Sequence, residues 1–162
     1  LFIMAGIFAT AGAKLYIGQS LAAKTTNFVL ANFSAQSWIQ VGWMENIGAF
    51  GDEAASVTFD AIEQQRTQKL KGTRNAGDMT VVCGIDYEDQ GQITLRAAEA
   101  TSNNYAFKVQ FNDAPVGGDP SERYFIGLVM SARETLDTAN NVMKLNTTIG
   151  VNSNIVRVAA TP

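Results

Sequence analysis

A chain of 162 residues with 46% apolar and 17% charged side chains is long enough for one domain with a real core and too short for two comfortable ones. Twelve basic residues against fifteen acidic ones leave a net charge of -3, so no basic face is available to grip nucleic-acid phosphates. There is no histidine, which excludes Ser-His-Asp and Cys-His catalysis and the histidine-built zinc sites, and the single cysteine, Cys83, excludes an intramolecular disulfide framework.

The sequence opens on an apolar arm, residues 1–13, which Lys14 closes. It is too short to span a bilayer, which takes about 20 apolar residues. Met4-Ala5-Gly6 resembles a natural start, which would make Leu1 to Ile3 a start-site extension. In a free monomer this arm, Ile7 and Phe8 included, is an uncovered apolar surface. Strands are expected at Lys14 to Gly18 and at the aromatic, β-branched run Trp38 to Val41. The acidic turn Gly51-Asp52-Glu53 leads into a strand over Ser56 to Ile62. A long loop is expected next, residues 63–78, punctuated by Gly72 and Gly77. Four of the twelve basic residues, Arg66, Lys69, Lys71 and Arg74, fall within nine positions of it. Long ordered loops in compact domains are usually functional.

Met79 to Ile85 alternates, with Met79, Val81, Cys83 and Ile85 on one face. One helix is expected over 89–101, with Asp89 as N-cap and Ile93, Ala97 and Ala100 as its apolar stripe. Tyr105 to Phe111 is the clearest half-buried strand. Asp113 to Ser121, with two prolines and Gly117-Gly118, reads as an exposed loop. Tyr124 to Ala132 is a continuous apolar run, and Asp137 to Asn141 turns it back into the alternating strand Val142 to Val151. Ile155 to Val158 is a last short strand. Strands on both sides of one helix argue for a mainly β fold: a single domain, residues 1–162, built as a β-sandwich or half-barrel with one flanking α-helix.

The motifs that could carry chemistry do not. Gly72-Thr73-Arg74-Asn75-Ala76-Gly77 lacks the spacing of a phosphate-binding loop and no helix follows it directly. Asp86, Glu88 and Asp89 lack the alternating ligand spacing of a calcium loop and fit the acid enrichment of a helix start. No enzyme activity, metal or cofactor is expected.

The stretch from Gly51 to Arg96 resembles the major tail tube proteins of long-tailed bacteriophages and of gene transfer agents. The residues that carry the resemblance are Gly51-Asp52-Glu53, Phe59-Asp60-Ala61-Ile62, Arg66-Thr67, and Lys69-Leu70-Lys71-Gly72-Thr73-Arg74-Asn75-Ala76-Gly77-Asp78. They continue through the strand Met79 to Ile85, Asp86-Tyr87, Asp89, Gly91-Gln92 and Leu95-Arg96. The match covers about a third of the chain; beyond it the agreement is one of pattern.

The resemblance implies a structural virion protein. Its hexameric rings stack into the hollow tail tube, which conducts DNA to the host cell during ejection. The implied partners are further copies of the chain and other tail proteins: tape measure, tail terminator and distal tail. DNA crosses the channel without specific binding, no membrane is involved, and assembly takes place in the host bacterial cytoplasm. In that setting the basic residues of the long loop are expected to pair with Asp52, Glu53, Glu88 and Asp89 of neighbouring copies, and Ile7 and Phe8 to be covered by a neighbour. The expected channel-lining residues are Ser131, Arg133, Asn146 and Thr148. Two other readings stand beside this one. One is the tube subunit of a type VI secretion system. The other is a β-sandwich carbohydrate- or receptor-binding module, in which Trp38, Trp43 and Tyr87 would stack on sugar rings.

Overall fold

The computed structural model describes residues 6–162. Residues 1–5, and with them the start-site expectation and the first part of the apolar arm, lie outside the described residues. The first strands are β1 (Lys14–Ser20), β2 (Ile39–Val41) and β3 (Met44–Asn46), with a short 3-10 helix at Leu30–Phe33 between β1 and β2. Then come β4 (Glu53–Phe59), β5 (Gln68–Asn75), β6 (Asp78–Gly84) and the helix α1 (Gln90–Glu99). The chain ends with β7 (Tyr105–Gln110), β8 (Glu122–Thr135), β9 (Lys144–Val151) and β10 (Val156–Val158). The fold is mainly β with one helix, as expected. Hydrogen bonding joins eight of the strands into one antiparallel sheet, in the order β2-β1-β7-β8-β9-β6-β3 with β10 added beside β8.

That order carries a geometric consequence. β2 and β3 lie at opposite ends of the sheet, yet only Gly42 and Trp43 separate them in the chain. The sheet must therefore curl until its two ends meet at a covalent corner, although no hydrogen bonds pair β2 with β3. Trp43 makes the corner with φ +56, a left-handed conformation rarely adopted by a bulky side chain.

Inside the curl lies the main core, where Leu15, Ile17, Val41, Met79, Val81, Phe107, Phe125, Leu145 and Ile149 are buried. The period-2 alternation of β6, β7 and β9 supplies most of it. α1 packs against β8, β2 and β1 and contributes Leu95 and Ala98. A second cluster forms on the opposite face of β7 and β8, where Ala106, Tyr124 and Ile126 meet Phe28 and Phe33 from the segment between β1 and β2. This is why Tyr124 to Ala132 reads as continuously apolar: the first half of β8 is covered on both faces.

Two expectations are corrected. The long loop over 63–78 is largely a strand. β5 pairs antiparallel with β4, from Glu53 opposite Asn75 to Phe59 opposite Gln68, as a two-stranded sheet of its own. β4 accordingly starts and ends earlier than Ser56 to Ile62, and only residues 60–67 turn between the strands. In β5, polar side chains occupy both faces apart from Leu70, so no apolar period marks it as a strand; its partner β4 makes it one. The helical stripe is also different. Ile93, Ala97 and Ala100 face solvent, and Gly91, Gln92, Leu95 and Ala98 are buried. Gly91 decides this. A Cβ there would collide with the carbonyl oxygen of Gln40 and sit 2.6 Å from the Val41 Cα, so the missing side chain lets the helix backbone lie directly on β2.

Candidate functional site

The corner at Trp43 is held from the helix. Asp89 is the N-cap, as expected: its Oδ1 accepts from the Gln92 amide at 2.9 Å and its Oδ2 from the Gly42 amide at 3.1 Å. Gln92 is fully buried and fully used. Its Nε2 donates to the carbonyls of Gly42 (3.2 Å) and Gly84 (2.8 Å), and its Oε1 accepts from the Asp86 amide (3.0 Å). One side chain thus ties the ends of β2 and β6 together across the seam of the curl. Asp86 in turn accepts from the Trp43 indole at 3.0 Å. Composition alone does not mark a buried glutamine; the available signal was its place three residues after an N-cap, where Gln is favoured.

The outer face of β9, β6 and the second half of β8, from Leu128 on, carries no second layer. Register arranges it as four rungs: Thr135–Lys144–Gly84, Arg133–Asn146–Val82, Ser131–Thr148–Thr80 and Leu128–Gly150–Asp78. The four residues expected to line a channel therefore lie together, in two adjacent cross-strand pairs, on this bare face. Its charge is more balanced than a single arginine: Lys144 pairs with Glu45 at 2.8 Å, and Asp78 stands two rungs from Arg133. Beyond Gly127, β8 outruns β7, which begins at Tyr105, so its Leu128–Thr135 segment pairs only with β9 and keeps one edge unpaired.

The β4–β5 hairpin stands apart from the main sheet. Val57 opposite Leu70, with Phe59 two residues on, makes one face apolar; Thr58 and Ser56 opposite Lys69 and Lys71 make the other polar and basic. Val57, Phe59 and Leu70 are all exposed, and Ile62 in the turn is exposed completely. A lone two-stranded hairpin is marginal in water, so an arm of this kind calls for a covering surface. Arg66 lies in the exposed turn at its tip.

Among the acids expected to pair with these cations, Asp52 lies 4.0 Å from Arg74 of the same chain, and Glu53 is opposite Asn75 at the hairpin root. Asp89 is occupied with its two backbone amides, whereas Glu88 is exposed beside it. Ile7 and Phe8 are exposed, and Phe8 borders a groove of about 250 Å³ lined also by Ile47, Phe50, Val109 and Phe111. The sugar-stacking aromatics do not share a platform: Trp38 packs on Tyr124 at 5.7 Å in the second cluster, while Trp43 and Tyr87 are exposed near Asp86.

The only cysteine is fully buried; burial first, then the negative charge of Asp89, pushes the Cys83 thiol up to about 11. Burial and the hydrogen bond to Glu122 likewise push the Tyr124 phenol far up. No group of His, Cys, Asp or Glu among the described residues could hold a metal ion.

No known sequence family and no curated protein matches the chain. Solved structures do. A component of the anti-feeding prophage baseplate matches with a TM-score of 0.70 at 9% identity, over 96% of this chain and 98% of the other. The SPP1 tail tube matches at 0.63 and 14% identity, over 90% of this chain and 77% of the other. The chain has the tail-tube fold. A sheath/tube terminator structure of the extracellular contractile injection system PVC shares it, at 0.68 and 7% identity over 96% and 99% of the two chains. At such identities the likeness is one of fold.

Proposed function

We propose that this chain is the structural subunit of a hollow tube in a phage-type tail, without catalytic activity. Six copies close into a ring, rings stack, and the channel conducts DNA towards the host cell. The observation that carries this reading is the bare, largely polar outer face of β9, β6 and the Leu128–Thr135 half of β8, next to the unpaired edge of that half. An exposed edge of that length in a monomer invites pairing with another copy, and ring closure removes it. A face whose Lys144 is paired with Glu45, leaving Arg133 as a single cation, does not grip phosphates strongly, which suits a conduit. Location in a virion tail, assembly in a bacterial cytoplasm, partnership with tape measure, terminator and distal tail proteins, and a gene transfer agent as the alternative particle all belong to the same proposal.

A tube subunit of a contractile or type VI apparatus has the same ring geometry, and the similarity to the PVC structure favours keeping that reading second. The carbohydrate-binding module loses its main support with Trp38 withdrawn into the second cluster. Negative-stain microscopy and native mass spectrometry of the purified protein test the proposal. Six-membered rings or hollow tubes are expected; a strict monomer at high concentration would refute it.

A further inference from the structure

We propose that the groove at the Trp43 corner is the receptor for the β4–β5 hairpin of a second copy, so that Trp43 is the anchor of ring-to-ring stacking. This rests on the tube reading and names the partner surface that reading leaves open. The groove is about 640 Å³, with Trp43, Met44, Ile85 and Val142 as its apolar surface and Glu45 and Asp86 at its margin. Trp43 is 72% exposed. A left-handed corner is cheapest with glycine, so an exposed indole there is a costly choice for the one hydrogen bond that it gives Asp86.

The hairpin is the occupant that fits. It offers Val57, Phe59 and Leu70 on one face and Lys69 and Lys71 on the other, with Arg66 at the tip. The groove offers an apolar floor with Asp86 and the Lys144-paired Glu45 in its lining, and the exposed Glu88 follows two residues after Asp86. A cation from the hairpin can also lie over the indole face. Charge complementarity selects the hairpin over the other uncovered apolar segment, Ile7 and Phe8, since residues 6–13 carry no charge.

Position selects a second copy over the hairpin's own chain. β5 leads through Ala76 and Gly77 into Asp78, so the hairpin leaves the body at the Asp78–Gly150 end of the β6–β9 ladder. The groove lies at the other end, beyond Gly84 and Lys144. Six residue steps of strand put the two about 20 Å apart. An arm at one end and its receptor at the other form a head-to-tail contact, which does not close and so propagates as a stack.

The test uses the full chain. Trp43→Gly keeps the left-handed backbone and removes the ring, so the subunit should melt no lower than the wild type while rings no longer stack. Leu70→Cys combined with Val142→Cys should give a ladder of disulfide-linked multimers under mild oxidation, with the buried Cys83 silent. Glu88→Lys should weaken stacking, and adding Arg66→Glu, a charge at the hairpin tip and not on the face turned away from the groove, should restore it. Stacking of Trp43→Gly at the wild-type level, with no ladder from the paired cysteines, overturns the inference and leaves the tube reading intact. Wild-type protein that forms neither rings nor stacks overturns both.

Discussion

Gln92 allows the sharpest test of how the barrel is closed. Replacing it with alanine removes three hydrogen bonds, of 2.8, 3.0 and 3.2 Å, and takes from the half-buried carbonyls of Gly84 and Gly42 and amide of Asp86 the partner that the fully buried side chain supplies. Each lost bond with its stranded partner costs about 1 kcal/mol, so Gln92→Ala should destabilise the subunit by roughly 3 kcal/mol. For a chain of this size that lowers the melting midpoint by about 6–12 °C. Gln92→Glu separates hydrogen bonding from packing: it keeps the acceptor for Asp86, loses both donations, and brings negative charge beside Asp86 and Asp89. It should be worse than alanine at neutral pH and recover in acid, where a protonated carboxyl can donate again. Urea unfolding and thermal melts measure all three proteins, with the exposed Gln90→Ala as control, expected within about 0.5 kcal/mol of wild type. If Gln92→Ala also falls within about 0.5 kcal/mol of wild type, the bridge does not close the seam and the account of the corner is wrong.

Further expectations follow from single groups. Thr147 is fully buried with no partner for its hydroxyl, so Thr147→Val should stabilise by about 1 kcal/mol and raise the melting midpoint. Gly91→Ala should destabilise strongly, because the new methyl meets rigid backbone of Gln40 and Val41, and α1 would have to lift off β2; circular dichroism melts report it. Cys83 should be silent to thiol reagents in the native protein and react on denaturation. With its thiol raised from 9.0 to about 11 in the fold, the unfolded chain loses the proton first, so stability should fall as pH rises from about 9 to 11, and Cys83→Ala should flatten that slope. Lys69→Glu with Lys71→Glu, both exposed on the polar face of the hairpin, should leave the subunit folded but unable to polymerise, as sedimentation will show.

Much of the fold is legible in the sequence where one face of a strand is buried and the other is not. β6 and β9 show it, because side chains alternate with period 2 and water sorts them by polarity; β7 departs from the half-buried pattern, since Ala106 is buried on its second face. The helix start is legible for a local reason too: Asp89 meets the first free amides within three residues. The clustering of Ser131, Arg133, Asn146 and Thr148 on one bare face could be anticipated from the hairpin turn between β8 and β9 and the alternation that follows it. What stayed hidden depends on partners distant in the chain. β5 is a strand only because β4 lies alongside it. Gln92 is a core residue only because two carbonyls and an amide converge on it.

The sequence by itself therefore determined a mainly β, single-helix chain without histidine chemistry, since composition, alternation and capping are local properties. Tertiary structure alone decided that the sheet closes on itself at Gly42-Trp43, that the basic segment is a hairpin arm with an uncovered apolar face, and that arm and corner lie at opposite ends of one ladder. These are relations between residues far apart in the chain, set by register and by which surfaces the core consumes. No local pattern of side chains encodes them.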